Sequence, residues 1–238
     1  MEDLNLKTMA LSISQMREIE NSAIAEYKIP QSLLMENAGA QVAKIVLQET
    51  FNIISPKILI LCGSGNNGGD GLVAAKVLKE NKKEVKVIFL KAIESLKGIV
   101  LENFEIIKNL NIPYEFLPSK SKIELELKNS DLVIDAILGT GFKGKTEGLI
   151  ASTIELINGS KKKVIAVDIP SGLDGDTGEP CGAAISASVT VTMGAPKIGF
   201  FTKQGKEWAG KIIVAEIGFP KELLQVKPNT QPYRKLEV

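Results

Sequence analysis

The densest chemistry in the sequence is the run Gly63-Ser64-Gly65-Asn66-Asn67-Gly68-Gly69-Asp70-Gly71, with five glycines, two asparagines and an aspartate. Glycines permit positive φ and let a backbone approach a ligand closely. Successive N–H groups leading into a helix N-terminus make an anion site. Residues 63–68 match the dinucleotide pattern G-x-G-x-x-G. That pattern also wants an acid about 20 residues on, at the end of the second strand. Here the second apolar run ends Leu90-Lys91-Ala92, which argues against a dehydrogenase. No Gly-Lys-Ser/Thr follows, so the loop is not of the NTPase kind. The plain alternative is a tight turn with Asp70 as its capping residue.

Three more loops leave apolar runs. Asp135 interrupts one such run, where a carboxylate is costly unless paired or bound to a cation. It leads into Gly139-Thr140-Gly141-Phe142-Lys143-Gly144-Lys145, which is either a phosphate-binding loop or a surface loop with solvated lysines. Asp168 closes another run, ahead of Ile169-Pro170-Ser171-Gly172. Burial at a strand end favours the neutral acid and so suits proton transfer, or the residue caps the next loop structurally. Asp174 and Asp176 read as turn formers, because their spacing lacks the calcium-loop pattern. Lys197, after the run at 189–193, faces the same cleft or solvent. Asn67, Asp135 and Ser171 thus converge from three strand ends with one charge among them. Such a set suits K⁺ better than Mg²⁺.

The composition narrows the chemistry further. Among 238 residues there is no histidine. That excludes Ser-His-Asp and Cys-His nucleophiles and His-ligated zinc. Proton transfer near neutral pH falls to a perturbed Asp, Glu, Lys, Tyr or Cys, or to water. Two cysteines cannot build a four-cysteine zinc site; Cys62 reads as an inert core thiol, and nothing marks Cys181 as a nucleophile. A net charge of +1 gives no case for nucleic acid or an acidic membrane as partner. Glu2 and Asp3 stand where a targeting peptide carries basic residues, and no run approaches about 20 apolar residues. A cytoplasmic location is the default expectation.

These loops need elements to hold them. Residues 14–28 and 30–50 have the three- and four-residue apolar spacing of two helices. Short apolar runs follow at 57–62, 85–90, 131–138, 164–169, 189–193 and 211–217. Helical stretches at 70–81, about 95–110, about 120–128 and about 148–158 separate the first four. Apolar strands alternating with helices predict a three-layer α/β/α Rossmann-like sandwich with a mostly parallel sheet, preceded by two N-terminal helices. The last third shows strands without obvious helices, which predicts added edge strands, some of them antiparallel. One domain over 1–238 is expected, with a core at about 12–220. The polar tail 221–238 is a loose end or an arm on a neighbouring subunit.

Together the motifs resemble the YjeF-type N-terminal domain, the NAD(P)H-hydrate epimerase family. They are MENAG at 35–39, CGSGNNGGDG at 62–71, DAILGTGFKG at 135–144, VDIPSGLDGDTG at 167–178 and GAPKIGF at 194–200, in family order. The resemblance implies a homodimer that interconverts the R and S epimers of NADHX and NADPHX. By position it implies that Asn66, Asn67, Gly68, Gly69 and Asp70 bind substrate, as do Gly139 to Lys145 and Asp168. It implies K⁺ ligation by Asn67, Asp135 and Ser171, and a separate dehydratase as functional partner. The residues themselves point to Asp168 as the acid–base group, with Lys197 or water as the lesser choice. The helices at 14–50 carry a large apolar face and are the expected dimer surface. Two other readings stand beside this one. A non-catalytic scaffold of the same fold is disfavoured by the intact motifs. An NAD(P)-dependent oxidoreductase is disfavoured by the missing acid.

Overall fold

The computed structural model describes residues 2–225. Helices α1 (Glu2–Thr8), α2 (Ile13–Ala25) and α3 (Gln31–Glu49) precede the first strand. The chain then runs β1 (Lys57–Cys62), α4 (Asn66–Glu80), β2 (Glu84–Phe89), α5 (Gly98–Asn109), β3 (Tyr114–Phe116), α6 (Lys120–Asn129) and β4 (Leu132–Ala136). It continues with α7 (Gly148–Ser160), β5 (Lys163–Val167), β6 (Val189–Met193), α8 (Lys203–Ala209), β7 (Lys211–Ala215) and α9 (Lys221–Leu224). The strands form one sheet in the order β3-β2-β1-β4-β5-β6-β7, and every pairing is parallel.

Three layers follow from the alternation of side chains along each strand. On one face, Ile58, Ile60, Val87, Ile134 and Val191 pack with Val42 and Val46 of α3, Leu72 and Leu78 of α4 and Phe104 of α5. On the other face, Leu59, Leu61, Val133 and Ala166 pack with Ile123 of α6 and Ile154 and Ile157 of α7. Helix α2 starts on a capping box: Gln15 N–H donates to Ser12 Oγ (3.2 Å), and Ser12 N–H donates to Gln15 Oε1 (2.9 Å).

Several expectations are corrected. The strands of the last third, β5, β6 and β7, pair only in parallel, and α8 provides the crossover from β6 to β7. That helix has seven residues, too few for its periodicity to register. Strand β3 has no counterpart among the apolar runs, since three residues at the sheet edge carry little pattern. Helix α4 begins at Asn66, so Asn66 to Asp70 form its first turn rather than a loop. The apolar face of α3, which suggested a dimer surface, is buried inside the subunit against the sheet and α4. Of the expected polar tail, 221–224 form α9 and residues from 226 lie outside the described residues.

Candidate active site

The carboxyl ends of the central strands and the start of α4 share one side of the sheet. At Gly63 an added Cβ would lie 2.0 Å from the Ile137 carbonyl oxygen, and at Gly68 it would lie 2.3 Å from the Gly63 carbonyl. These glycines let β1, α4 and the β4 loop come together. At Gly65 a Cβ would meet nothing within 4 Å. Gly65 is also the N-cap of α4, with no side-chain hydrogen bond to the first turn. The helix therefore presents uncapped amides and open space, the condition for holding an anion.

Beside this turn lies an all-oxygen cluster. Asp135 is fully buried at the end of β4 and has no cationic partner among the described residues. Its carboxylate accepts from Ser171 N–H (2.8 Å), Ser171 Oγ–H (2.5 Å) and Ile137 N–H (3.3 Å). Desolvation outweighs these bonds and pushes Asp135 up to about 6. Leu138 ties the cluster together. Its N–H donates to Ser171 Oγ (2.8 Å), and its carbonyl accepts from Asn67 Nδ2 (2.9 Å). Asn67 Oδ1 accepts no hydrogen bond among the described residues. The three residues expected to ligate K⁺ are thus brought together. No group of three His, Cys, Asp or Glu that could hold a metal occurs among the described residues, so a carboxylate-rich divalent site is not what this cluster offers.

Asp168, one residue beyond β5, has φ +63°. Ile169 N–H donates to the Val167 carbonyl (2.7 Å), closing a three-residue turn on Asp168. A like turn follows β6, where Ala195 N–H donates to Met193 O (2.8 Å) around Gly194 at φ +72°. Asp168 Oδ1 bridges the two turns, accepting from Met193 N–H (3.0 Å) and from the Lys197 ammonium. Lys197 is 1% exposed and also donates to Thr192 Oγ1 (2.8 Å) and Ala195 O (3.3 Å). It therefore faces the cleft, not solvent. Asp168 Oδ2 accepts no hydrogen bond among the described residues, and the side chain remains partly open.

A cavity of about 500 Å³ joins these parts. Gly63, Gly65, Asn66, Asn67, Asp70, Gly139, Thr140, Gly141, Phe142, Asp168 and Lys197 all line it. Gly68 and Gly69 are buried behind the wall, and Gly144 and Lys145 lie outside it. Lys143 lines a second cavity of about 300 Å³, as does Cys181. The two cavities share Arg17, Leu138, Gly139, Thr140 and Phe142 as a common wall. Cys62 is buried and its thiol is pushed up by desolvation, in keeping with an inert core position.

Sequence reasoning missed several wall residues, Arg17 and Glu20 of α2 among them. Arg17 donates to the Thr140 carbonyl (2.7 Å), pinning the Gly139–Phe142 loop. Glu20 is pushed up by burial and then by the Asp168 charge. Asp70 is pushed well up by burial, then by Asp168 and Glu20. A charged pair three residues apart on an amphipathic helix reads as solvated, which is why neither was singled out. The site therefore combines an amide cradle, an oxygen cluster and three interacting carboxyl groups, one of them tied to a buried lysine.

Known proteins resemble this chain over nearly its whole length. The family described as YjeF-related protein N-terminus matches residues 31–199. The NAD(P)H-hydrate epimerase of Elusimicrobium minutum is 38% identical over 214 residues, covering 88% of this chain and 96% of that protein. The epimerase of Lentilactobacillus buchneri is 35% identical, covering 89% and 95%. The bifunctional NAD(P)H-hydrate repair enzyme of Moorella thermoacetica is 40% identical over 90% of this chain, which spans only 41% of that enzyme. The yeast protein YNL200c has the same fold, with a TM-score of 0.81 at 22% identity over 95% of this chain and 97% of that one. On the family match and these identities, the chain belongs to the YjeF-related protein N-terminus family.

Proposed function

We propose that this chain is an NAD(P)H-hydrate epimerase, an isomerase that interconverts the R and S epimers of NADHX and NADPHX. The observation that carries the reading is Asp168, a strand-end carboxylate anchored through one oxygen to buried Lys197, with the other free toward a dinucleotide-sized cavity. The uncapped α4 turn at Gly65 holds the pyrophosphate, and the reacting ring lies toward β5 and β6.

Hydrated nicotinamide bears a hydroxyl on a carbon next to the ring nitrogen. The nitrogen lone pair expels it while a carboxylic acid gives the hydroxyl a proton, so that water leaves and a planar iminium remains. Water then adds to either face and returns a proton to a carboxylate, and the cycle balances. Asp168 Oδ2 is the group placed for these transfers. Asp70 and Glu20 are pushed up by burial and by their like-charged neighbours, so these two carboxyls, beside Asp168, hold a proton more readily than an ordinary carboxyl.

Asn67, Asp135 and Ser171 fit an oxygen-liganded monovalent cation, since Asp135 is buried without a counter-charge and Asn67 Oδ1 is free of donors. Bound there, K⁺ supplies the charge that balances Asp135. The reading also includes a homodimer, a dehydratase acting on the S epimer and a cytoplasmic setting. No helix among the described residues is long and apolar enough to cross a membrane.

Incubation with R-NADHX, followed by chromatographic separation of the epimers, tests the activity. Interconversion is expected, and its loss in folded Asp168→Asn with dinucleotide binding retained. A wild-type protein that leaves R-NADHX unchanged overturns the reading; an active Asp168→Asn overturns only the role of Asp168.

A further inference from the structure

We infer that the cavity favours NADPHX over NADHX, and that Lys91 at the carboxyl end of β2 is the specificity-determining residue, taking the adenosine 2′-phosphate. The inference rests on the epimerase reading and deepens it.

The sheet order gives the cavity a direction. β2 lies beside β1 on the side away from β4, and β5 and β6 lie beyond β4. The cavity wall runs from Lys91 past Gly63 and Asn66 to Asp168 and Lys197. From β2 to β5 is three strand spacings, about 14 Å. With the pyrophosphate at the α4 turn and the reacting ring at Asp168, the other nucleoside falls at the end of β2. In parallel sheets of this kind that position reads the ribose 2′ group. An acid there accepts from a 2′-hydroxyl, and a cation there accommodates a 2′-phosphate.

Lys91 occupies that position. Leu90 N–H donates to the Cys62 carbonyl (3.0 Å), so the end of β2 is held against the residue that precedes the glycine turn. Lys91 is the next residue and lines the wall. Glu94 is the sole carboxylate between Leu90 and Lys97, and it does not line the cavity. The other cavity cations are engaged, Lys197 by Asp168 and Arg17 by the Thr140 carbonyl. Lys91 has no ion pair among the described residues. It is also exposed, so salt screens its field and the discrimination stays modest.

The test compares kcat/KM for R-NADHX and R-NADPHX in the wild type, Lys91→Ala and Lys91→Glu. The wild type is expected to favour NADPHX about tenfold, equivalent to about 1.4 kcal/mol. Lys91→Ala brings the ratio of the two values toward one, mainly through a higher KM for NADPHX, and Lys91→Glu inverts it. Equal use of both substrates by the wild type overturns the inference, as does a Lys91→Ala variant that keeps the wild-type ratio. Should the wild type epimerise neither, the activity reading fails, and calorimetry with 2′-phospho-ADP-ribose and ADP-ribose still decides this point. A preference for the phosphorylated ligand that Lys91→Ala removes supports it; equal affinities overturn it.

Discussion

Asp168 holds a backbone conformation that few residues other than glycine adopt without cost. Its φ of +63° lies in the left-handed region, where asparagine and aspartate are the better-tolerated side chains. Strain of this kind persists where the surroundings over-determine it, and here β6 and Lys197 do so through the carboxylate. Asp168→Asn therefore keeps the turn but leaves a buried ammonium without its counter-charge. Breaking a buried pair costs about 3–5 kcal/mol. The low end is expected, because the Asp168 end of the pair opens to the cavity. Lys197→Met should cost a similar amount, and the double variant should recover most of it in urea unfolding. Losses that simply add would mean the two groups are not energetically coupled.

Asp70 makes the pH dependence at the same scale. Burial and the charges of Asp168 and Glu20 raise it above its ordinary 3.8. A raised acid contributes stability that is complete below its unfolded value and lost as pH climbs through the native one. Asp70→Asn removes that loss. Its melting temperature should overtake that of the wild type as pH rises from about 4 to about 8. A constant offset across that range would contradict the assignment. The convergence of Asp135, Ser171 and Asn67 was legible in the sequence because each ends or follows an apolar strand. Lys197 was not, because a lysine after a strand reads the same whether it turns in or out.

At the scale of elements, the glycine run was legible as the connection from β1 into the cleft but not in its helical form. Consecutive glycines argue against helix by propensity. What overrides propensity is close packing: a Cβ at Gly69 would lie 2.6 Å from Met35 Cε of α3, and one at Gly71 would lie 2.6 Å from Ala136 Cβ. The reasons for Gly63 and Gly65 differ, and substitution should separate them. Gly63→Ala drives a Cβ into the Ile137 carbonyl, so unfolding should become easier by about 2 kcal/mol or more. Gly65→Ser meets no atom and supplies an N-cap side chain, so stability should hold within about 0.5 kcal/mol. The same hydroxyl occupies the amides that would hold a pyrophosphate, so dinucleotide affinity should fall in calorimetry while the fold stays intact. Unchanged affinity in Gly65→Ser would remove the phosphate from this turn. The missed helix α8 and strand β3 show the converse limit: seven and three residues hold too few periods for sequence patterning to register.

At the scale of the whole molecule, the parallel sheet and the meeting of three strand ends were legible because the strands are apolar on both faces, while the wall that Arg17 and Glu20 of α2 add was not, because it depends on a helix packing far from its place in the chain. Asn67 lies in the first turn of α4, Asp135 is the penultimate residue of β4 and Ser171 follows β5, so the oxygen cluster ties together three crossover connections. A ligand that binds only the folded chain stabilises it by RT ln(1 + [L]/Kd), about 2.7 kcal/mol at one hundred times Kd. For a chain of this size each kcal/mol moves the melting temperature by about 2–4 °C. Replacing choline chloride by KCl at constant ionic strength should therefore raise the midpoint by about 5–10 °C at saturation. Asp135→Asn removes the one charge in the set and should flatten that response. The control matters because general salt effects act on the exposed pairs such as Lys57–Glu84 and not on a buried site. Equal midpoints in the two salts would remove the cation from the proposal and leave Asp135 as a carboxyl held by Ser171 and Ile137 alone.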